Sequence, residues 1–429
     1  MGPDMPPAKS CLTYAAPFAF LAGIAHLAWL AGLHWHAPAE EIRSLWLAGD
    51  IWTRGGDPYT TYEAAPGDAY VTQTFQSGPN WFPIAALFSL ASPETAMRVW
   101  LGAAAALLLG ASAFNVLAFR KMAAQSALFG QTAFVRELKR LPPVVQFLLH
   151  AGFVTTMAAA GQGLIADPGA VIAYAGASLL LYGVAAKHDL SGAAGTALLL
   201  LTPGVGLIVA AGLWLGAYGR RAFVLGAIFA FLMAVPVLAV TPGVDIAATL
   251  ITGAGERVEI ASPVANAATL GLSALLGAGG APGLGPAFYF LLALAAVSAF
   301  GLIGRKRPRA LKPVDNFMIA TATALAIAPL GHAYLLLTGL FLFYATALRP
   351  PLGAALLAAA FFIWRAGDLP GADIAGEAVY ASAGTAALFA TLLGAAFFSP
   401  APERRRKPAT PLGDNVVLWS NILKNRRSA

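Results

Sequence analysis

The sequence predicts an all-α polytopic membrane protein, a bundle of about twelve transmembrane helices. Three observations carry that expectation. Of the 429 residues, 58% are hydrophobic and only 11% charged, with a mean hydropathy of +0.70, whereas a soluble globular chain carries about a quarter charged residues. Apolar stretches near the roughly twenty residues that span a bilayer recur along the chain. The cations fall between those stretches, as the positive-inside rule requires, so the net charge of +7 speaks for membrane orientation and against nucleic acid. The 45 glycines suit helices whose backbones approach closely in lipid.

Taken in order, residues 13–34 form the first span. The N-terminus lacks a small-residue cleavage site and reads as the start of a retained helix. Cys11, the single cysteine, excludes an intramolecular disulfide and a cysteine metal cage. Residues 40–83 read as a polar loop, and seven of the 20 Asp and Glu fall in it or just beyond: Glu40, Glu41, Asp50, Asp57, Glu63, Asp68 and Glu94. Within it, residues 81–90 are apolar but too short to cross, an interfacial helix opened by Pro83. Residues 95–119 then cross to Arg120, Lys121, Arg136, Lys139 and Arg140. That cluster is assigned to the cytoplasm, which makes the first loop external.

Residues 141–160 cross outward to Gly161-Gln162-Gly163, and residues 168–186 return to Lys187-His188. Residues 190–218 are too long for one span and carry Thr202-Pro203-Gly204 in the middle, so they read as a hairpin of two short helices. Residues 222–240 lead to a second external loop, 241–283, in which 265–276 reads as an amphipathic interfacial helix. Residues 285–303 return to Arg305-Lys306-Arg307-Pro308-Arg309. Residues 317–329 and 333–348 form another hairpin with Leu330-Gly331-His332 at its outer tip. The last pair, 352–364 and 381–398, flanks a short external loop, and residues 400–429 form a basic cytoplasmic tail. Both termini are then cytoplasmic, in the plasma (inner) membrane.

Chemistry is sparse outside the carboxylates. There is no phosphate-binding P-loop, no GxGxxG after a strand, and no HExxH or HxxxH metal spacing; His34 and His36 read as interfacial. Glu40 and Glu41 lie a few residues beyond the first helix, where a partly desolvated carboxylate serves as a general base. Their bland reading is solvated acids, or acids meeting a helix N-terminal dipole.

A resemblance gives these acids a role. The segment EIRSLWLAGDIWTRGGDPY, residues 41–59, resembles the first-loop signature of the family-87 membrane glycosyltransferases of the GT-C superfamily, which includes polyprenyl-phosphate-mannose-dependent mannosyltransferases. Glu41, Leu45-Trp46, Ala48 and Gly55-Gly56-Asp57-Pro58-Tyr59 fall at matching spacing. Further landmarks follow in the family's order: Trp81-Phe82-Pro83, Gly161-Gln162, Thr202-Pro203, Arg220-Arg221, Asn266-Ala267-Ala268-Thr269-Leu270 and Pro329-Leu330-Gly331-His332-Ala333-Tyr334. Departures are Glu41 for the usual Asp, Leu45 for an aromatic, and Phe82 for a proline.

The resemblance implies a GT-C-like domain over residues 1–399, with loops 35–94 and 241–283 capping an external active site. It implies inverting transfer of a sugar, mannose in the relatives, from a polyprenyl phosphate to a hydroxyl of a lipid or glycan acceptor. Glu41 is the first candidate base, with Glu40 and Asp50 behind it. His332, Arg257 and Arg54 are candidates to meet the departing phosphate. Trp52, Tyr59, Trp81 and Phe82 are placed to stack on sugars, and Gln162 and Asn266 to bond their hydroxyls. Each has a structural alternative: a hairpin cap for His332, headgroup cations for the arginines, an interfacial belt for the aromatics. No metal or cofactor is expected beyond the donor itself. A transporter or lipid flippase, and a non-catalytic scaffold, are the competing classes.

Overall fold

A computed structural model describes residues 8–35, 40–56, 81–130, 132–165, 167–215, 220–240, 286–306, 311–328, 330–348, 350–364 and 374–398. Their regular structure is helical throughout. The order is α1 (Ala8–Leu33), α2 (Glu40–Thr53), α3 (Phe82–Ser89), α4 (Pro93–Gln125), α5 (Ala133–Arg140), α6 (Pro143–Thr155), α7 (Ala158–Ile165) and α8 (Pro168–Ala186). There follow α9 (Asp189–Leu200), α10 (Pro203–Leu215), α11 (Arg220–Val240), α12 (Pro286–Lys306) and α13 (Pro313–Ile327). A 3-10 stretch (His332–Leu340) leads into α14 (Phe341–Ala347), then α15 (Pro350–Trp364) and α16 (Ile374–Phe398). The second external loop with its expected helix, the loop at 365–373, most of the first loop beyond Gly56 and the tail lie outside the described residues.

Among the described residues, three helices are long and apolar enough to cross a bilayer alone: Cys11–Leu33, Pro93–Gln125 and Pro168–Ala186. Of the others, α9, α10, α13 and α15 have 12–15 residues, whereas α11, α12 and α16 run for 21, 21 and 25. A helical membrane protein is therefore what the chain builds, with a core that winds through α4, α8, α10, α13 and the 3-10 stretch. Pro168–Ala186 is the centre of it, buried along most of its length. By contrast α1 turns Tyr14, Phe18, Leu21 and Trp29 outward, the face of a helix that meets lipid.

Three expectations change. Residues 40–53 are not loop but helix, because Ile42, Leu45, Ala48 and Ile51 recur at three-residue spacing and bury one face. That face meets α3 so closely at Gly49 that any side chain there would strike the Ala85 carbonyl. The expected crossing at 141–160 breaks into α6 and α7, bent by 70°. At the break the Thr155 and Thr156 hydroxyls turn back onto the Ala151 and Gly152 carbonyls at 2.6 and 2.8 Å, a competition that loosens helices. Gly161-Gln162-Gly163 consequently sits inside α7 rather than beyond a helix end. Finally, the return leg after Gly331 is 3-10 before it is α, pressed on α6 and α8 where a Cβ at Gly339 would lie 2.9 Å from Val154 and 3.1 Å from the Tyr174 hydroxyl. The hairpin at Thr202-Pro203 is as expected: α9 ends there and α10 starts on the proline, which has no N–H to continue the ladder.

So many helix ends inside one bundle leave many carbonyls without a partner. Side-chain donors from other helices take them. Trp46 donates its indole N–H to the Ala91 carbonyl at 2.7 Å, Trp81 to Leu201 at 2.7 Å and Trp100 to Leu164 at 2.8 Å. His26 meets Thr155 at 2.7 Å and His150 meets Gly339 at 3.1 Å; a carbonyl only accepts, so His26 Nδ1 and His150 Nε2 carry the protons.

The two ends of the bundle differ in charge. One gathers Arg120, Lys121, Arg136, Lys139, Arg140, Lys187, Arg220, Arg221 and Lys312. There Asp315, fully buried, ties α13 to the segment after α4: it accepts from Ser126 Oγ, from the Ala127 and Lys312 amides at 2.6 and 2.9 Å, and from Tyr344 at 2.8 Å. Lys139 lies over the rings of Phe129 and Phe119 at 4.8 and 5.6 Å, and burial, with Arg120 adding, pulls its pKa below the ordinary lysine range. The opposite end carries Glu40, Glu41, Asp50, Glu94 and Asp167, with Arg43, Arg54 and Arg98 among them.

Trp100→Phe keeps the ring and deletes the donor to Leu164, which costs about 1–3 kcal/mol for a buried carbonyl left unpaired. Trp29→Phe, on the outward face of α1, is expected to shift the unfolding midpoint in detergent far less. Equal shifts for the two variants would contradict this account of the helix ends.

Candidate functional site

The acid-rich end is assembled from segments distant in sequence. Two walls meet there, one from α2 and α3, the other from α7, the start of α8, the α9–α10 turn and the start of the 3-10 stretch. Trp81 joins them, since its ring is buried beneath α3 while its N–H reaches Leu201 in the turn before Pro203. Trp100 fastens α4 to α7 in the same region.

On the first wall, Glu40 and Glu41 open α2. A helix start favours carboxylates there by about 0.3–1 kcal/mol, so their position agrees with the bland reading as well as the catalytic one. Asp50 sits three turns along, its Oδ1 held by Arg54 Nη2 at 2.8 Å, with the Asp50 side chain 21% exposed and that of Arg54 76%. Arg54, just past the end of α2, is thus engaged by an acid one turn back. Trp52 packs its ring on Phe82 with centroids 5.8 Å apart. Its indole N–H is buried and finds no acceptor among the described residues. Trp81 and Phe82, expected as sugar platforms, are 3% and 1% exposed and pack as core.

The second wall supplies an acid that the sequence reading passed over. Asp167 caps α8, its Oδ1 accepting from the Ala170 amide at 3.2 Å, and its own N–H bonds the carbonyl of Gln162 at 3.1 Å. Around it the chain is crowded. A Cβ at Gly169 would lie 2.9 Å from Asp167 Oδ1, 3.1 Å from the Tyr334 hydroxyl and 3.2 Å from Thr202 Cγ2, and one at Gly331 would lie 3.9 Å from Asp167 Oδ2. Three of the stretches singled out in the sequence, at Gln162, Thr202 and 331–334, therefore meet around Asp167 and Gly169: the Gln162 carbonyl takes the Asp167 amide, while Thr202 and Tyr334 crowd Gly169. The signal for Asp167 was present as Asp-Pro ahead of a long apolar run, a helix cap by pattern. It was obscured because it stands alone, outside the acid-rich window.

Of the remaining expected residues, His332 is placed by its backbone at the first position of the 3-10 stretch. Tyr59, Arg257 and Asn266 lie outside the described residues. Among the described residues no group of three or more His, Cys, Asp and Glu is disposed to hold a metal ion. Compared with known proteins, the chain matches no family model and no curated protein.

The crowding at Gly169 makes a direct test. Gly169→Ala forces Asp167, Tyr334 or Thr202 to move and is expected to destabilise by about 1–3 kcal/mol. Gly102→Ala on α4, where nothing stands within 4 Å of the new methyl, is expected to be neutral or stabilising by up to about 1 kcal/mol. Thermal unfolding in detergent reads both, and a Gly169→Ala midpoint unchanged from wild type would rule out the close packing described.

Proposed function

We propose that the protein is a membrane glycosyltransferase that moves a sugar from a polyprenyl phosphate to an acceptor hydroxyl at its acid-rich end, which faces the external side. One observation carries the reading: landmarks that resemble family-87 transferases, far apart in sequence, gather at that end around a half-buried carboxylate. The charge asymmetry agrees with it, since cations collect at the other end as a cytoplasmic face requires.

In this scheme a carboxylate removes the proton of the acceptor hydroxyl as that oxygen attacks the anomeric carbon. The bond from the anomeric carbon to the phosphate oxygen breaks, its electron pair leaving with the polyprenyl phosphate, and the configuration inverts. Glu41 remains the first candidate base, with Glu40 beside it; Asp50 is less suited because Arg54 already occupies one of its oxygens. Asp167 joins the candidates. The departing phosphate needs hydrogen-bond donors where its charge develops. The Trp52 indole N–H and the Tyr334 hydroxyl are neutral candidates for that role, and His332 and Arg257 stay as the cationic candidates. By the resemblance the sugar is mannose and the acceptor a lipid or glycan hydroxyl.

The transporter reading keeps one specific support, the 70° break between α6 and α7 with His150 fully buried on α6. Broken helices and buried ionisable groups are the machinery of transport.

Purified protein, incubated with radiolabelled polyprenyl-phosphate mannose and membrane lipid extract, is expected to transfer label. Glu41→Gln should lower the rate by about a hundredfold or more, and Asp167→Asn should lower it too if Asp167 shares the base role. Equal rates for wild type and both variants would move the base elsewhere. With no transfer from any of several lipid-phosphate donors, uptake or lipid scrambling by proteoliposomes becomes the measurement that decides for transport.

A further inference from the structure

At the basic end, away from the proposed transferase site, a cavity of about 480 Å³ opens between the ends of α4 and α8 and the starts of α9, α11 and α13. Its polar lining is Gln125, Lys187, His188, Asp189 and Lys312. The two lysines come from segments distant in sequence, and among the described residues neither is ion-paired. Lys312 spends one ammonium proton on the Ala124 carbonyl at 3.2 Å, leaving two of its three donors. His188 Nδ1 accepts from the Ser191 amide at 3.3 Å, so its proton resides on Nε2 and the ring offers a donor. Asp189 stands in the first turn of α9, where the helix dipole offsets its charge.

Lys187 carries a second, independent sign. Among the described residues it is the one non-glycine with positive φ, at φ 58° and ψ 42°. It closes α8 in the left-handed conformation that glycine adopts at least cost. A lysine in that place makes the backbone less favourable and puts a charge at the cavity, and backbone strain of this kind concentrates at functional positions.

From these observations we infer that the cavity binds a phosphodiester group, held by Lys187 and Lys312 with His188 and Gln125 as further donors. Two cations against one carboxylate suit a singly charged diester better than a dianion. A volume of about 480 Å³ admits a headgroup, and ligand pockets run to roughly 300–1,000 Å³. Basic pockets between helices at a membrane surface take up anionic lipid headgroups, so the leaflet at that end is the expected source, with a soluble diester as the other.

The test uses the full chain in detergent micelles. Binding of short-chain phosphatidylglycerol, of phosphatidylcholine and of the deacylated diester glycerophosphoglycerol is measured on wild type, Lys187→Gly and Lys312→Gln, with Arg136→Gln, an exposed position on α5, as control. Lys187→Gly relieves the left-handed strain, so lost binding in that variant cannot come from lost folding. The expected result is phosphatidylglycerol bound in preference to phosphatidylcholine, with the dissociation constant raised about tenfold or more in both lysine variants and unchanged in the control. Binding of the soluble diester with the same lysine dependence also supports the site and makes solution its source. No binding of either diester, binding that both lysine variants leave unchanged, or equal binding of phosphatidylcholine would overturn it.

Discussion

Inside a bilayer no water is available to bond a helix carbonyl that has no partner. This constraint shapes the bundle, because α6, α7, α9, α10 and α13 are short helices of 8–15 residues with ends among their neighbours. Among the described residues, five carbonyls at or near helix ends take a side-chain donor from elsewhere, three indole N–H groups and two imidazoles reaching Ala91, Leu201, Leu164, Thr155 and Gly339. The tryptophans at 46, 81 and 100 therefore act as cross-links that allow irregular backbone to exist at depth. Breaking a helix is costly in lipid, and a chain that breaks several has somewhere to put the exposed groups.

What it places there is the acid-rich end. The α6–α7 bend and the α9–α10 turn deliver Gln162 and Thr202 to the same region as Asp167. Without the bend, residues 161–163 would continue along the axis of α6 and away from the start of α8. Gly169 and Gly331 then allow the 3-10 stretch to approach Asp167 within a distance no side chain would permit at Gly169. The geometry brings a half-buried carboxylate and a tyrosine hydroxyl to the two sides of Gly169, and Trp81 ties the start of α3 to Leu201 in the turn nearby. The opposite end is organised on a different principle, with Asp315 buried under four donors as a structural tie and Lys187 and Lys312 lining its own cavity.

How much of this the sequence disclosed depends on whether the signal was local. The apolar stretches and the cations between them led to the helices and their charge asymmetry, and Thr202-Pro203 led to the hairpin, since proline cannot continue a ladder. Helix α2 was hidden by its acids: Glu40, Glu41 and Asp50 drew attention from the buried face of Ile42, Leu45, Ala48 and Ile51. The α6–α7 break rests on two threonine hydroxyls competing for carbonyls, a choice that tertiary packing decides. Trp81 and Phe82 looked like ligand platforms and are core, because an aromatic next to a proline reads the same whether it faces a sugar or another helix. Asp167 gains its interest only from Gly169, Tyr334 and Thr202, and no spacing in the sequence announces that meeting.

The central claim is that the donor lipid phosphate docks at the acid-rich end. A photoreactive polyprenyl-phosphate sugar, crosslinked to the purified protein and mapped by mass spectrometry, tests it most directly. The account predicts adducts on residues 40–56, 162–170 and 331–334, and their loss when unlabelled polyprenyl-phosphate sugar competes. Adducts confined to the outward faces of α1 and α11, or to the lysine-lined cavity at the other end, would contradict it.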